Sequence, residues 1–212
     1  MEPGISVHFM VKDPPLDRMA ALVALLRPIV SEFVIVDTGS PQSSIDTMAS
    51  WSKPENVPVT VISEYFEDFS TTRNKGLALH KHEWTLGIDP DEIPSLAMLQ
   101  HIVYVTSPEG VKYTPEANGW TYFTYNWWAG VLGPEMGYHW HTRLWKTEGS
   151  YLYRPIHELV VVCGEPELTI RNQNKLPQAP KSAYLIHSKG ADDIVKADEL
   201  YDRMDAVQGA SR

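Results

Sequence analysis

Cysteine is nearly absent from this chain: Cys163 stands alone among 212 residues. No intrachain disulfide can form, and a reducing compartment is expected. Its apolar neighbours, Val160 to Val162, mark it as a buried strand thiol and not a nucleophile. Positive charge is also scarce. The 18 Lys and Arg face 27 Asp and Glu, for a formal charge of −9. That argues against charge-driven binding to nucleic acid, which needs a basic face, while leaving room for a local basic groove. No apolar run is long enough to span a bilayer, and the N-terminus has no secretory pattern. A soluble cytoplasmic domain is the expectation. Neither Gly-x-Gly-x-x-Gly nor Gly-x-x-x-x-Gly-Lys occurs, so a dinucleotide fingerprint and a P-loop are both excluded. Internal repeats and low-complexity segments are missing too. A hydrophobic content of 43% suffices for one good core with a small appendage.

What is there begins with alternating elements. Ile5 to Lys12 reads as a strand, stopped by Asp13-Pro14-Pro15. Leu16 to Ile29 has helical spacing (Leu16, Met19, Val23, Leu26), with Asp13 as a candidate N-cap and a proline in the first turn. Glu32 to Asp37 is an apolar run of the parallel-strand kind, closing on the polar turn Asp37-Thr38-Gly39-Ser40. Ser43 to Trp51 is a short helix, Val57 to Ser63 a β-branched strand, and Phe69 to His80 a helix capped by Asp68 or Ser70. Trp84 to Asp89 is the fourth strand. This order predicts a parallel, Rossmann-like sheet with right-handed crossovers and helices on both faces. Lys12, Asp37 and Asp89 would then line one crevice at the strands' carboxyl ends, where open α/β sheets bind ligands.

The fourth strand runs into Asp89-Pro90-Asp91-Glu92, three carboxylates in four residues. Pro90 has no N–H for a central ladder, so the strand should end at Asp89. Two such acids repel unless a cation lies between them, and an oxygen-only set favours Mg²⁺ or Mn²⁺. A solvated acidic turn is the competing reading.

Beyond Pro94 a helix runs to about Val105, and the character then changes. Gly119 to Trp128 and Tyr138 to Lys146 read as aromatic-rich antiparallel strands. Ile156 to Val162 and Ala183 to His187 are further strands. Leu168 to Pro180 is irregular, and Asp192 to Val207 a polar helix. Trp127 and Trp128 are adjacent and so point to opposite faces, which leaves one free to stack on a sugar or nucleobase. Core packing is the alternative for such aromatics. His139 and His141 share a face, which suits lining of the acceptor cleft or the surface, with metal binding as the alternative.

In order along the chain, Phe9-Met-Val-Lys12, Ile35-Val-Asp-Thr-Gly-Ser40, Asp68-Phe-Ser-Thr-Thr-Arg73-Asn74 and Trp84-Thr-Leu-Gly-Ile-Asp-Pro-Asp-Glu92 resemble glycosyltransferase family 2. Arg143-Leu-Trp145, Ile156-His-Glu158 and Leu185-Ile-His-Ser-Lys-Gly190 narrow the resemblance to the branch holding lipopolysaccharide-core glucosyltransferases and peptide glycosyltransferases. The branch usually has Lys-Asn-Glu where this chain has Lys12-Asp13-Pro14. Pro90 replaces the common alanine of its Asp-Ala-Asp turn.

The resemblance implies a GT-A fold, α/β in class, with residues 1–108 as the nucleotide-sugar half and 109–212 as the acceptor half of one compact domain. It implies an inverting transfer of a hexose or N-acetylhexosamine from a nucleotide sugar, a UDP sugar foremost, with Mn²⁺ or Mg²⁺ as cofactor. On the donor side fall Val11, Lys12, Asp37 (base), Gly39, Asp68, Arg73 (base or diphosphate) and Asp89 (ribose or metal water). Asp91 is the direct metal ligand, joined by Asp89 and His187, with His157 as the alternative histidine. Glu158 is the general base or an acceptor-positioning group beside His157. Trp127, Trp128, Trp140 and Arg143 fall on the acceptor side. The acceptor is a glycan, a protein side chain or a modified DNA base, the last two suiting a phage enzyme. Competing readings are a non-catalytic nucleotide-sugar-binding domain and a nucleotidyltransferase on a related sheet; the missing Gly-rich N-terminal segment disfavours the second.

Overall fold

A computed structural model describes residues 1–52, 57–128, 131–132, 139–155, 159–161 and 176–189. The parallel half follows the alternation in the sequence. Strand β1 (Glu2–Val11), helix α1 (Leu16–Leu26) with a 3₁₀ turn over Arg27–Ile29, β2 (Glu32–Asp37), α2 (Gln42–Ser50), β3 (Val59–Ser63), α3 (Phe69–Leu77) and β4 (His82–Gly87) come in that order. Then follow β5 (Glu92–Pro94), α4 (Leu96–Thr106), α5 (Pro108–Tyr113), β6 (Gly119–Trp128), β7 (Val131–Leu132), β8 (His139–Lys146), β9 (Tyr151–Tyr153), β10 (Leu159–Val161) and β11 (Tyr184–Lys189).

The main sheet runs β3-β2-β1-β4-β8-β6-β11-β5, with β7 on β6; β9 and β10 form a separate antiparallel pair. β3, β2, β1 and β4 are parallel to one another. β8 is antiparallel to both β4 and β6, and β11 is parallel to β6. Two reversals cancel, so β6 and β11 end at the same sheet edge as β1, β2 and β4. This is a mixed α/β, Rossmann-like architecture with a mostly parallel sheet and a small antiparallel one.

The two faces of the sheet are built differently. Ile5, Val7 and Phe9 of β1, Phe33 and Ile35 of β2, and Trp84 and Leu86 of β4 join one apolar core with Met19, Leu22 and Leu26 of α1, Met48 of α2, and Met98 and Ile102 of α4. Period-two alternation sends Ser6, His8, Thr85 and Gly87 to the opposite face. That face is covered by α3, whose own sequence is polar. It approaches through Gly76: a Cβ there would lie 2.5 Å from Val36 Cγ2 and 2.6 Å from His8 Cε1. Some of the polar atoms on this face are paired, with Ser6 donating to Glu32 at 2.5 Å and His80 Nδ1 lying 2.8 Å from Thr85 Oγ1, while both ring nitrogens of His8 and Nε2 of His80 are buried without a hydrogen-bond partner. Leu77 closes the far end of this layer against Trp145, Leu152 and Val160.

Several boundaries differ from expectation for clear reasons. Asp13 does not cap α1: the N-cap is Pro15, without a side-chain bond. Pro14 and Pro15 keep the chain extended, so the helix starts beyond the reach of Asp13, which turns to φ +46° and donates its N–H to Ser40 Oγ at 2.8 Å. β4 ends at Gly87, two residues before Asp89, because the chain is already leaving the ladder towards Pro90. β5, β7, α5 and β9 are too short to show a period in the sequence, and Val131–Leu132 forms β7 within the stretch 129–137 expected as a loop. Among the described residues the strand expected over Ile156 to Val162 covers Leu159–Val161. The helix expected over Asp192 to Val207 lies outside the described residues. No helix among the described residues is long and apolar enough to cross a membrane.

The close seat of α3 yields a stability prediction. Gly76→Ala must push a methyl into the rigid, buried Val36 and His8. The substitution should destabilise the protein by roughly 1–3 kcal/mol despite the better helix propensity of alanine. Urea denaturation measures it, and a variant as stable as the parent would show that α3 seats less tightly.

Candidate functional site at the carboxyl edge of the sheet

The carboxyl ends of β1 and β2 are held level, with Val11 paired to Asp37. Thr38 ties them further, its N–H and its hydroxyl both donating to Val11 O, at 2.9 and 3.0 Å. β4 lies on the other side of β1, with Gly87 opposite His8. Asp37 and the turn after β4 therefore share one edge, about 10 Å apart by two interstrand spacings.

Asp37 is buried, and its carboxylate accepts the N–H groups of Gly39 and Ser40, each at 3.1 Å. It shapes its own turn. Gly39 takes φ +126°, which disfavours any side chain, and the space beside it is open. Lys12 is exposed just beyond β1. Asp68 caps α3, accepting from Thr71 N at 2.7 Å, Thr71 Oγ1 at 2.8 Å and Ser70 Oγ at 3.0 Å. Burial works to raise its pKa, but these donors outweigh it and the net shift is downward.

The turn after β4 is closed twice. The N–H of Glu92 donates to Asp89 O at 3.0 Å, a β-turn with Pro90 and Asp91 at its centre. The Glu92 side chain returns the bond, Oε2 accepting the N–H of Asp89 at 2.9 Å. Its other oxygen, Oε1, pairs with Arg143 of β8. Arg143 also reaches Asp89 Oδ2 at 3.7 Å, while Arg73 of α3 holds Asp89 Oδ1 at 2.6 Å. The result is a row of alternating charges, Arg73, Asp89, Arg143, Glu92. Burial works to raise the pKa of Asp89, but Arg73 and Arg143 overcome it and hold the carboxyl well below the usual range. Glu92 is fully buried. Burial pushes it up to about 7, Arg143 opposes the rise, and Asp89 adds to it.

Asp91 stands outside this row. Its Oδ2 is 2.9 Å from Nε2 of His187 on β11, and both side chains are partly exposed. The pairing of β11 with β5 fixes the approach, with His187 opposite Glu92 and Ser188 N–H donating to Asp91 O at 2.9 Å. One carboxylate oxygen and one imidazole nitrogen, converging at a solvent-facing edge, fit a divalent cation as two of its ligands, Mn²⁺ among the candidates. Among the described residues there is no group of three such donors. Asp89, expected as a further ligand, is turned to the two arginines.

Of the aromatic half, Trp140 is half-buried and stands edge-on to Phe123, ring centres 5.4 Å apart. The backbones of Trp127 and Trp128 lie at the end of β6, level with Ser188 and Lys189, next to His187; their side chains are outside the described part. Arg143 sits among the turn's carboxylates. His157 and Glu158 lie outside the described residues. Sequence reasoning assigned Glu92 no task. The signal was there in the spacing Asp89-Pro-x-Glu92, a turn whose fourth residue can reach back to the first N–H, as in a capping box.

The depressed pKa of Asp89 has a definite sign. A folded-state value below the unfolded one, about 4, adds stability above that pH and loses it as pH falls. Asp89→Asn should therefore cost about 1–3 kcal/mol at pH 7. The gap from the parent should narrow steadily as thermal melts are repeated from about pH 5 to about pH 3. A gap independent of pH would mean that Asp89 is not ionised through its arginines.

No protein-family model matches the sequence. No curated protein matches it either. Among solved structures, a mannosyltransferase from Pyrobaculum calidifontis, in complex with GDP-mannose and Mn²⁺, superposes with a TM-score of 0.48 at 12% identity. The superposition covers 69% of this chain and 45% of that one, so the chain spans less than half of its neighbour's length.

Proposed function

We propose that the chain is a metal-dependent, inverting glycosyltransferase of the GT-A kind, moving a hexose or N-acetylhexosamine from a nucleotide sugar to a hydroxyl acceptor. The observation that carries this reading is the Asp91–His187 pair, 2.9 Å apart on the edge to which β1 and β2 also deliver Lys12 and Gly39. A bound divalent cation supplies neutralisation for a leaving diphosphate. Asp91 and His187 would hold it, with water and phosphate oxygens at its remaining positions.

The chain's own groups take the other tasks. The open turn at Gly39 admits a nucleobase against backbone, and Asp37 keeps that turn in shape. Lys12 offers a solvent-facing cation to the phosphates. Arg73, seated by Gly76 and Asp89, lies within one helix of the same edge. The acceptor side is formed by the end of β6, where Trp127 and Trp128 follow Asn126, the residue level with His187. Glu158 is the proposed general base, three residues beyond Pro155, whose carbonyl accepts the N–H of Phe69 at 3.1 Å at the start of α3. An ionised carboxylate there would take the proton of the acceptor hydroxyl as it attacks the anomeric carbon opposite the diphosphate. UDP is the first donor base to try, and GDP the second.

Isothermal titration with UDP and with GDP, each with and without Mn²⁺, tests the reading. Binding of one of them should be Mn²⁺-dependent, and Asp91→Asn or His187→Ala should remove that dependence. Absence of any Mn²⁺-assisted binding would overturn the proposal. Once a donor is found by screening nucleotide sugars for hydrolysis, Glu158→Gln should keep diphosphate affinity and lose turnover by about 100-fold or more. Full turnover in that variant would remove Glu158 from the base role.

A further inference from the structure

Resting on the Asp91–His187 reading, we infer that Glu92 is a positioning residue: its carboxylate closes the Asp89–Glu92 turn from the side-chain face and so holds Asp91 opposite His187. Asp91 occupies the third place of a four-residue turn. Such turns are often open, and an exposed carboxylate on an open turn samples many directions. Here the backbone bond from Glu92 N–H to Asp89 O, 3.0 Å, is matched by the bond from Asp89 N–H to Glu92 Oε2, 2.9 Å. Both ends of the turn are therefore locked to each other. The lock is itself anchored, since Oε1 pairs with Arg143 on β8 and the Glu92 backbone lies opposite His187 on β11. Glu92 thus connects the turn to both strands that define the site, without facing the ligand: its side chain is completely buried. Pro90 removes backbone freedom on one side of Asp91, and Glu92 removes it on the other.

The two oxygens of Glu92 have separable tasks. Oε2 orders the turn, and Oε1 balances Arg143. Glu92→Gln keeps an acceptor for the Asp89 N–H but withdraws charge from Arg143. Glu92→Asp keeps the charge but is one methylene too short to hold both partners. A purely structural residue would lower stability and metal affinity together in both variants. A positioning residue separates them.

The test uses the full chain and Mn²⁺ as the probe, read by electron paramagnetic resonance in the presence of whichever diphosphate, UDP or GDP, binds in the titration above. Thermal melts are recorded alongside. Glu92→Asp should weaken Mn²⁺ binding tenfold or more, the range typical of residues that orient metal ligands. Glu92→Gln should stay within about threefold of the parent for Mn²⁺ while losing more thermal stability than Glu92→Asp. If Glu92→Asp binds Mn²⁺ as tightly as the parent, or if both variants lose Mn²⁺ affinity in proportion to stability, the positioning role is overturned. Failure of the parent itself to bind Mn²⁺ is a different result: it removes the Asp91–His187 reading, and this inference with it.

Discussion

A row of four alternating charges, Arg73, Asp89, Arg143 and Glu92, fixes the edge of the sheet where the candidate site lies. The four come from four elements: α3, the turn after β4, β8 and β5. Charges this poorly hydrated are tolerated only when each finds a partner, and removing one strands the next. The row therefore acts as a single unit. It also settles which acids are left for other work. Asp89 and Glu92 are spoken for by arginines, and Asp91 is left facing His187.

That unit depends on how near α3 comes to the sheet. Directly beneath it lie Val36 of β2 and His8 of β1, and Gly76 on the helix faces both. A bulkier layer would lift α3 and carry Arg73 away from Asp89. His8 bears the cost of this closeness. It is buried, and burial with the nearby His80 and Arg73 drives its pKa well below the ordinary histidine value, with Asp89 opposing only weakly. A neutral imidazole beneath Arg73 adds no competing positive charge, which keeps the guanidinium directed at Asp89.

The parallel half was legible because its causes are local. Runs such as Phe33 to Val36 are apolar throughout, α1 has the helical period, and Asp-Thr-Gly-Ser announces a turn that an aspartate can cap. The part that escaped sequence reasoning is long-range. Nothing near Arg143 says that it will meet Glu92 across 51 residues of chain. β5 was invisible for another reason: Glu-Ile-Pro is too short to show a period, and its proline is tolerated only because β5 is an edge strand. The failed cap at Asp13 shows a local rule defeated by a stronger one, since two prolines fixed where α1 could begin.

The charge row also bears on why a cation would be needed. A diphosphate approaching this edge meets arginines that already hold carboxylates, Arg73 on Asp89 and Arg143 on Asp89 and Glu92. Of the basic residues named on the donor side, Lys12 alone is exposed, and one solvated ammonium on a flexible stem offers little against two or three phosphate charges. P-loop and dinucleotide folds answer this with glycine-rich backbone at a helix N-terminus, a device this chain lacks. What it has instead is a carboxylate and an imidazole facing each other at the correct edge. On the reading proposed above, a metal held by that pair would supply the positive charge that the engaged arginines do not.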